Sequence, residues 1–389
     1  MHVLDWLSDL DFNYVQEERL RKQVKDTGRW FLESKQFRQW VDGSTASCLW
    51  CPGNPGVGKT ILAAIIVEDL RQHYRDRSEK ALVLSVFCDY QVPATQTIPS
   101  LLRSLLKQLV QDYGQLRPSL FKSLYGQFRL RGTWHPRLST IIEILSQELQ
   151  SFDRVYIVLD ALDEYNDNDG DREQLIDVMR KSLGNNTRLL VTSRDIGTTI
   201  GSLFEEDTRL DIRATGEDIN LYIDSRLASS KRLSDHIKRG GPSLRSDIHA
   251  GVTTKADGMF LLAPMHMDSL AETATVQLFR DELKKLPKDL WGAYDKILKR
   301  IEDHDKRKEK LALRAFGWIA FVKRPLTVLE LQYALAVKPG STPALNLENL
   351  CAEDILISVC VGLVVKDETY ISGDFQSNNP TMKFAHTCR

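Results

Sequence analysis

The stretch Ser47-Cys48-Leu49-Trp50-Cys51-Pro52-Gly53-Asn54-Pro55-Gly56-Val57-Gly58-Lys59-Thr60-Ile61-Leu62 decides how this chain reads. Ser47 to Cys51 has strand character, Gly53 to Thr60 satisfies G-x-x-x-x-G-K-[ST], and an apolar helical pattern from Thr60 to Tyr74 follows at once. Glycines let the backbone close into a nest of N–H groups around phosphate oxygens, and the helix N-terminus adds partial positive charge. Lys59 then reaches the β- and γ-phosphates and Thr60 ligates magnesium. Gly53, Asn54, Pro55, Gly56, Val57, Gly58, Lys59 and Thr60 are therefore the expected cofactor-binding residues.

Outward from this loop, short apolar runs alternate with helical patterns, which is how a parallel sheet covered by helices is written. The runs Ser47 to Cys51, Ala81 to Cys88, Arg154 to Leu159, Arg188 to Thr192 and Thr208 to Ile212 are the expected strands. Between them, Ile98 to Asp112 and Leu138 to Leu149 repeat apolar residues at helical spacing, as in Leu101, Leu102, Leu105, Leu106 and Leu109. The fold expected is α/β, a P-loop NTPase with a five-stranded parallel sheet in the order 5-1-4-3-2.

Val155 to Leu159 runs into Asp160, with Asp163 and Glu164 just beyond, so carboxylates collect at the carboxyl end of a buried strand where such sheets bind ligands. Asp160 joins Thr60 as the expected magnesium pair, and Asp163 or Glu164 orients or deprotonates the attacking water. Arg188 to Thr192 ends in Ser193-Arg194, and a guanidinium there suits the γ-phosphate. Lys59, Asp163, Glu164 and Arg194 make up the candidate catalytic set. Asn166 to Asp171 has the look of a calcium loop, but aligning Gly170 to the sixth position puts Tyr165 first and Ile176 twelfth, so both required ligands are missing.

After Ala214 the strand signal gives way to helices such as Glu217 to Leu227, Asp247 to Ala256 and Asp289 to Glu302. Two strand-like segments, Gly362 to Lys366 and Met382 to Ala385, flank a turn-rich stretch near the end, a pattern that suggests a winged helix. The expected divisions are a helical lead-in over 1–45, the NTPase domain over 46–214, a helical domain over 215–288 and a winged-helix-like domain over 289–389.

Lys+Arg 52 against Asp+Glu 53 leaves a formal net charge of -1, so no whole-chain field draws the protein to nucleic acid, and no direct nucleic-acid binding is expected. The longest apolar stretch, Ile355 to Val365, is too short to span a bilayer, and Met1 to Leu20 is interrupted by acids; a cytoplasmic protein is expected. Six cysteines lie mostly in apolar runs and read as reduced thiols; Cys48 and Cys51, three apart on a strand, point to opposite faces.

At these residues the chain resembles the NACHT proteins, a branch of the signal-transduction NTPases with numerous domains (STAND), and especially fungal NACHT proteins with a nephrocystin-like P-loop region. The resemblance runs through Thr27-Gly28-Arg29-Trp30, Leu49 to Thr60, Phe87-Cys88-Asp89-Tyr90, Ile157 to Glu164, Thr192-Ser193-Arg194, Lys255 to Phe260, Leu286 to Leu290 and Arg324-Pro325-Leu326-Thr327. It implies an NTPase core, a helical domain, and a winged helix that closes over a bound diphosphate and opens on exchange for triphosphate. It places His386 on the β-phosphate in the closed state and Thr27 to Trp30 over the base, where Trp30 either stacks or packs in the core. Pro264 departs from the pattern by interrupting a segment that is otherwise continuous helix, so a kink or break is expected there. The chain stops at Arg389, where the resemblance implies a further short helix, and so reads as truncated.

The resulting expectation is a slow, magnesium-dependent ATPase or GTPase used as an NLR-like signalling switch. ADP or GDP would hold it closed, the open form would self-associate, and an effector or sensor protein would be its partner. A continuously turning-over remodelling ATPase of the AAA+ kind and a catalytically degenerate nucleotide-binding scaffold are the alternatives. ATP against GTP stays open.

Overall fold

A computed structural model describes residues 7–113, 137–166, 170–196, 200–303, 305–337, 347–367 and 380–384. The chain forms two compact units, one running to Asp218 and one beginning at Ile219. In the first, strands β1 (Cys48–Pro52), β2 (Ala81–Phe87), β3 (Arg154–Asp160), β4 (Thr187–Ser193) and β5 (Thr208–Arg209) make one sheet in the order β2-β3-β4-β1-β5. Every pairing is parallel. This is the order expected, read from the other edge. Strands covered on both faces must be apolar throughout, which is why Ala81–Phe87 is buried at every position and Arg154–Asp160 at all but its first. β5 is shorter than expected because strand geometry ends at Arg209, although Leu210 and Ile212 still donate backbone bonds to Trp50 and Pro52 at 2.9 and 2.7 Å.

The register brings Phe87 beside Asp160 and Pro52 beside Ser193, so the carboxyl ends of β1 to β4 share one rim. Helix Lys59–Tyr74 leaves that rim and lays Ala63, Ile66, Val67 and Leu70 into the core. The segment before the sheet is part of the same body: Phe31 and Trp40 are fully buried, and Trp40 packs edge-on to Tyr156 of β3 at 5.4 Å. Cys48 and Cys51 are buried free thiols, with burial pushing Cys48 up to about 12.

The second unit is helical through Lys306–Phe321, then closes on a small antiparallel sheet, β6 (Leu326–Thr327), β8 (Thr381–Phe384) and β7 (Val364–Asp367), in the order β6-β8-β7. Helices Val328–Ala336 and Glu353–Val359 bury Leu331, Leu335, Leu356 and Val359 against Val364 and Met382. The break expected at Pro264 falls before it. The preceding helix ends at Ala256, Asp257 and Gly258 take positive φ, and the next helix starts at Leu262. Pro264 thus occupies a first turn, where a backbone N–H has no intrahelical acceptor and its loss costs little.

Candidate functional site

The phosphate loop hangs between the end of β1 and helix Lys59–Tyr74. Gly53 is pinned by its N–H to Ser193 O at 3.0 Å, and a Cβ there would lie 2.9 Å from both Ile212 O and Val57 Cγ2. Close approach, not a turn conformation, demands glycine at this position. Gly58 caps the helix at φ 99°, which strains any other residue, and open space lies where its side chain would be. With no side-chain cap, the first N–H groups of the helix are left for another acceptor, as an anion site requires. Lys59 folds back over the loop, Nζ donating to Gly53 O at 2.9 Å and Asn54 O at 3.1 Å. Burial pulls its ammonium below the ordinary range, opposed by the charges of Asp163 and Asp160.

Asp160 at the tip of β3 is 1% exposed and accepts from Thr192 Oγ1 at 2.6 Å and from the Thr60 hydroxyl. Burial raises its pKa and these two hydroxyls lower it. The sheet therefore brings Thr60 and Asp160 together as expected. Among the described residues no group of three or more His, Cys, Asp or Glu forms a cage for a metal. A lone hydroxyl and carboxylate beside a phosphate cradle suit magnesium, which keeps waters and takes ligands from phosphates.

Ala161 sits at φ 55°, a left-handed conformation unusual for a side-chain residue, and turns the chain sharply into Leu162–Glu164. The turn gives the two acids, between which the sequence left the choice open, different surroundings. Asp163, its side chain 2% exposed, accepts the Arg194 backbone N–H at 2.9 Å and the Arg194 Nε–H, so both its oxygens hold Arg194 at the tip of β4. Glu164 takes no side-chain hydrogen bond among the described residues. Burial first, then the charges of Asp89, Asp160 and Asp163, raise its pKa to about 8. A carboxyl titrating near neutrality beside a phosphate cradle is what a general base needs.

Sequence reasoning missed several members. Asp89 closes the acidic side, fixed by its N–H to Gln96 Oε1 at 2.9 Å; its place just past the end of β2, next to β3 in the sheet, was the signal. Thr192, which buttresses Asp160, reads in the sequence only as the end of the expected strand Arg188 to Thr192 and as part of the resemblance, with no role at the site. Trp30 is half-buried, edge-on to Phe31 at 5.6 Å and hydrogen-bonded to Asp218, whose carboxylate also takes the Gly28 N–H at 3.0 Å. His386 lies outside the described residues.

Residues 26–194 match the family described as nephrocystin 3, N-terminal. The chain is 26% identical over 327 residues to vegetative incompatibility protein HET-E-1 of Podospora anserina, which covers 79% of this chain and 23% of that protein, so the chain spans under a quarter of its relative's length. Among solved structures it is similar to a Walker-type ATPase of Pyrococcus abyssi, 14% identical at TM-score 0.42 over 94% of this chain and 95% of that one. Similar too is the Aeropyrum pernix ORC2 protein, solved as ADPNP–ADP complexes, 12% identical at TM-score 0.40 over 96% and 89%. The ORC1 protein of the same organism, solved with DNA, gives 13% identity and TM-score 0.39 over 96% and 89%. Likenesses this distant say nothing of ligands.

Proposed function

We propose that this chain, a NACHT-like P-loop protein of the fungal type, is a nucleotide-dependent switch that binds magnesium with ATP or GTP and hydrolyses it slowly. The observation that carries the reading is the shared rim. One short arc holds the open helix N-terminus after Gly58, the Thr60–Asp160 pair, the Asp163-held Arg194 and the uncommitted Glu164. Backbone N–H groups and Lys59 hold the phosphates, and Thr60 and Asp160 hold the magnesium, which when bound neutralises charge on the phosphates. Arg194 stabilises charge on the transferred phosphoryl group, and Glu164 accepts a proton from the attacking water. Lys59 releases its two carbonyl bonds when phosphates arrive.

The second unit provides the reporter in this reading. Its terminal helices and the β6-β8-β7 sheet support a winged-helix reading, and His386, which follows β8 in the sequence, is the residue we assign to the β-phosphate of a closed, diphosphate-bound form. Self-association of the open form and an effector partner in signalling complete the proposal. A cytoplasmic setting fits this role; no described helix is long and apolar enough to cross a membrane. The test is phosphate release from Mg–ATP and Mg–GTP. A switch turns over at or below about 0.01 per second without a partner, whereas steady turnover at about 1 per second or faster marks a motor and overturns the reading.

A further inference from the structure

Helix Phe12–Arg21 lies outside both the phosphate loop and the matched span 26–194. It packs on helix Lys59–Tyr74 in a defined direction: Asn13 Oδ1 accepts from Arg71 Nη2 at 2.8 Å, and Gln16 Nε2 donates to Ala64 O at 3.2 Å. Moving up the first helix therefore moves down the second, and the last turn of Phe12–Arg21, which carries Arg19, heads for the rim where Thr60 and Asp160 meet. The charge of Arg19 reaches Asp160.

Arg19 is half-buried, and its guanidinium makes no hydrogen bond or ion pair among the described residues, with Nε enclosed and unpartnered. The neighbouring carboxylate, Glu18, is engaged by Arg21. The enclosed Nε–H lacks an acceptor, which carries a cost, and the two Nη groups beyond it are free to meet an anion. Asp160 marks the magnesium and γ-phosphate side of a P-loop site, whereas the loop itself wraps the phosphates nearer the base.

We propose that Arg19 is a phosphate-binding residue of this site, one that engages the terminal phosphate of a bound triphosphate and thereby separates triphosphate from diphosphate. The proposal rests on the nucleotide-site reading above. A planar fork of N–H donors suits a phosphate dianion, and a cation placed at the γ position leaves diphosphate binding largely untouched.

Calorimetric titration of the full chain with Mg–ADP and with a non-hydrolysable Mg–ATP analogue, repeated with the guanine pair, tests it. Arg19→Met keeps the apolar stem in place, and Arg19→Lys keeps the charge. The expected result is a loss of about 10- to 100-fold in triphosphate affinity for Arg19→Met, the span of one or two charge-assisted hydrogen bonds. Diphosphate affinity should change by less than about threefold, and Arg19→Lys should recover part of the loss. Thermal melting of each variant confirms that it is folded. Equal loss for both nucleotides, or unchanged affinities, overturns the assignment and leaves Arg19 as a counter-charge to Asp160. Failure of the unaltered protein to bind either nucleotide overturns the nucleotide-site reading as well, so the two failures are distinguishable.

Discussion

Glu164 is the residue on which chemistry and stability meet. Its pKa, raised to about 8 from 4.5, means the folded protein retains a proton that the unfolded chain releases. That stabilisation is present in full below about pH 4.5 and is lost as pH climbs toward 8. In buffer free of metal and nucleotide, the melting temperature should therefore decline from pH 5 to 8, and Glu164→Gln should flatten the decline; parallel slopes for the two proteins would contradict the assignment. The same variant should keep nucleotide affinity while losing about 100-fold or more in single-turnover hydrolysis, the scale of a missing general base. Asp163 is different in kind. Because it holds Arg194 through two bonds from a buried position, Asp163→Ala should cost about 2–3 kcal/mol in urea unfolding as well as activity. A loss of hydrolysis at unchanged stability would make it the base instead.

At the scale of elements, the fit of Gly53 against the Ile212 carbonyl ties the phosphate loop to the chain beyond β5. Gly53→Ala should destabilise by about 1–3 kcal/mol, the cost of overpacking, and should weaken nucleotide binding with it. In the second unit, Arg324-Pro325-Leu326-Thr327 starts helix Val328–Ala336 with a reciprocal cap: Thr327 Oγ1 accepts the Glu330 N–H at 3.2 Å while Glu330 takes the Thr327 N–H at 2.9 Å and the Arg324 fork. These bonds hold the Glu330 carboxyl down at about 2, and Thr327→Ala should cost about 1 kcal/mol in thermal unfolding.

Elements like these were readable in the sequence because their signals are local. A strand covered on both faces must be an apolar run, a helix over it must repeat at three and four, and the loop's glycines stand at fixed offsets. What stayed hidden is joined across long separations. Gln16 meets Ala64, Thr192 meets Asp160 and Gly28 meets Asp218, 190 residues apart, and no local pattern announces any of them. Arg19 was hidden for the same reason, since one arginine on a charged helix resembles its neighbours until the helix is docked. Asp163 and Glu164 could not be told apart until the left-handed turn at Ala161 sent one toward Arg194 and left the other uncommitted.

For the whole molecule, the described members of the candidate site, Gly53 to Thr60, Asp160, Asp163, Glu164 and Arg194, lie in the unit that runs to Asp218, and that residue, bonded to Gly28 and Trp30, stands where the chain passes into the unit beginning at Ile219. The helix Gly216–Ser229 carries Asp218 in its first turn, where its carboxylate holds the Gly28 N–H. A switch requires that the state of the nucleotide bias an equilibrium, which happens only if the closed form binds one nucleotide better than the open form. The most direct measurement is denaturing extraction of nucleotide from freshly purified protein, with Lys59→Ala prepared in parallel, followed by chromatography of the released base and phosphate state. Near-stoichiometric ADP or GDP in the unaltered protein and none in the variant is the result expected of a closed switch. No nucleotide in either, with no binding of added Mg–ATP or Mg–GTP, would contradict it.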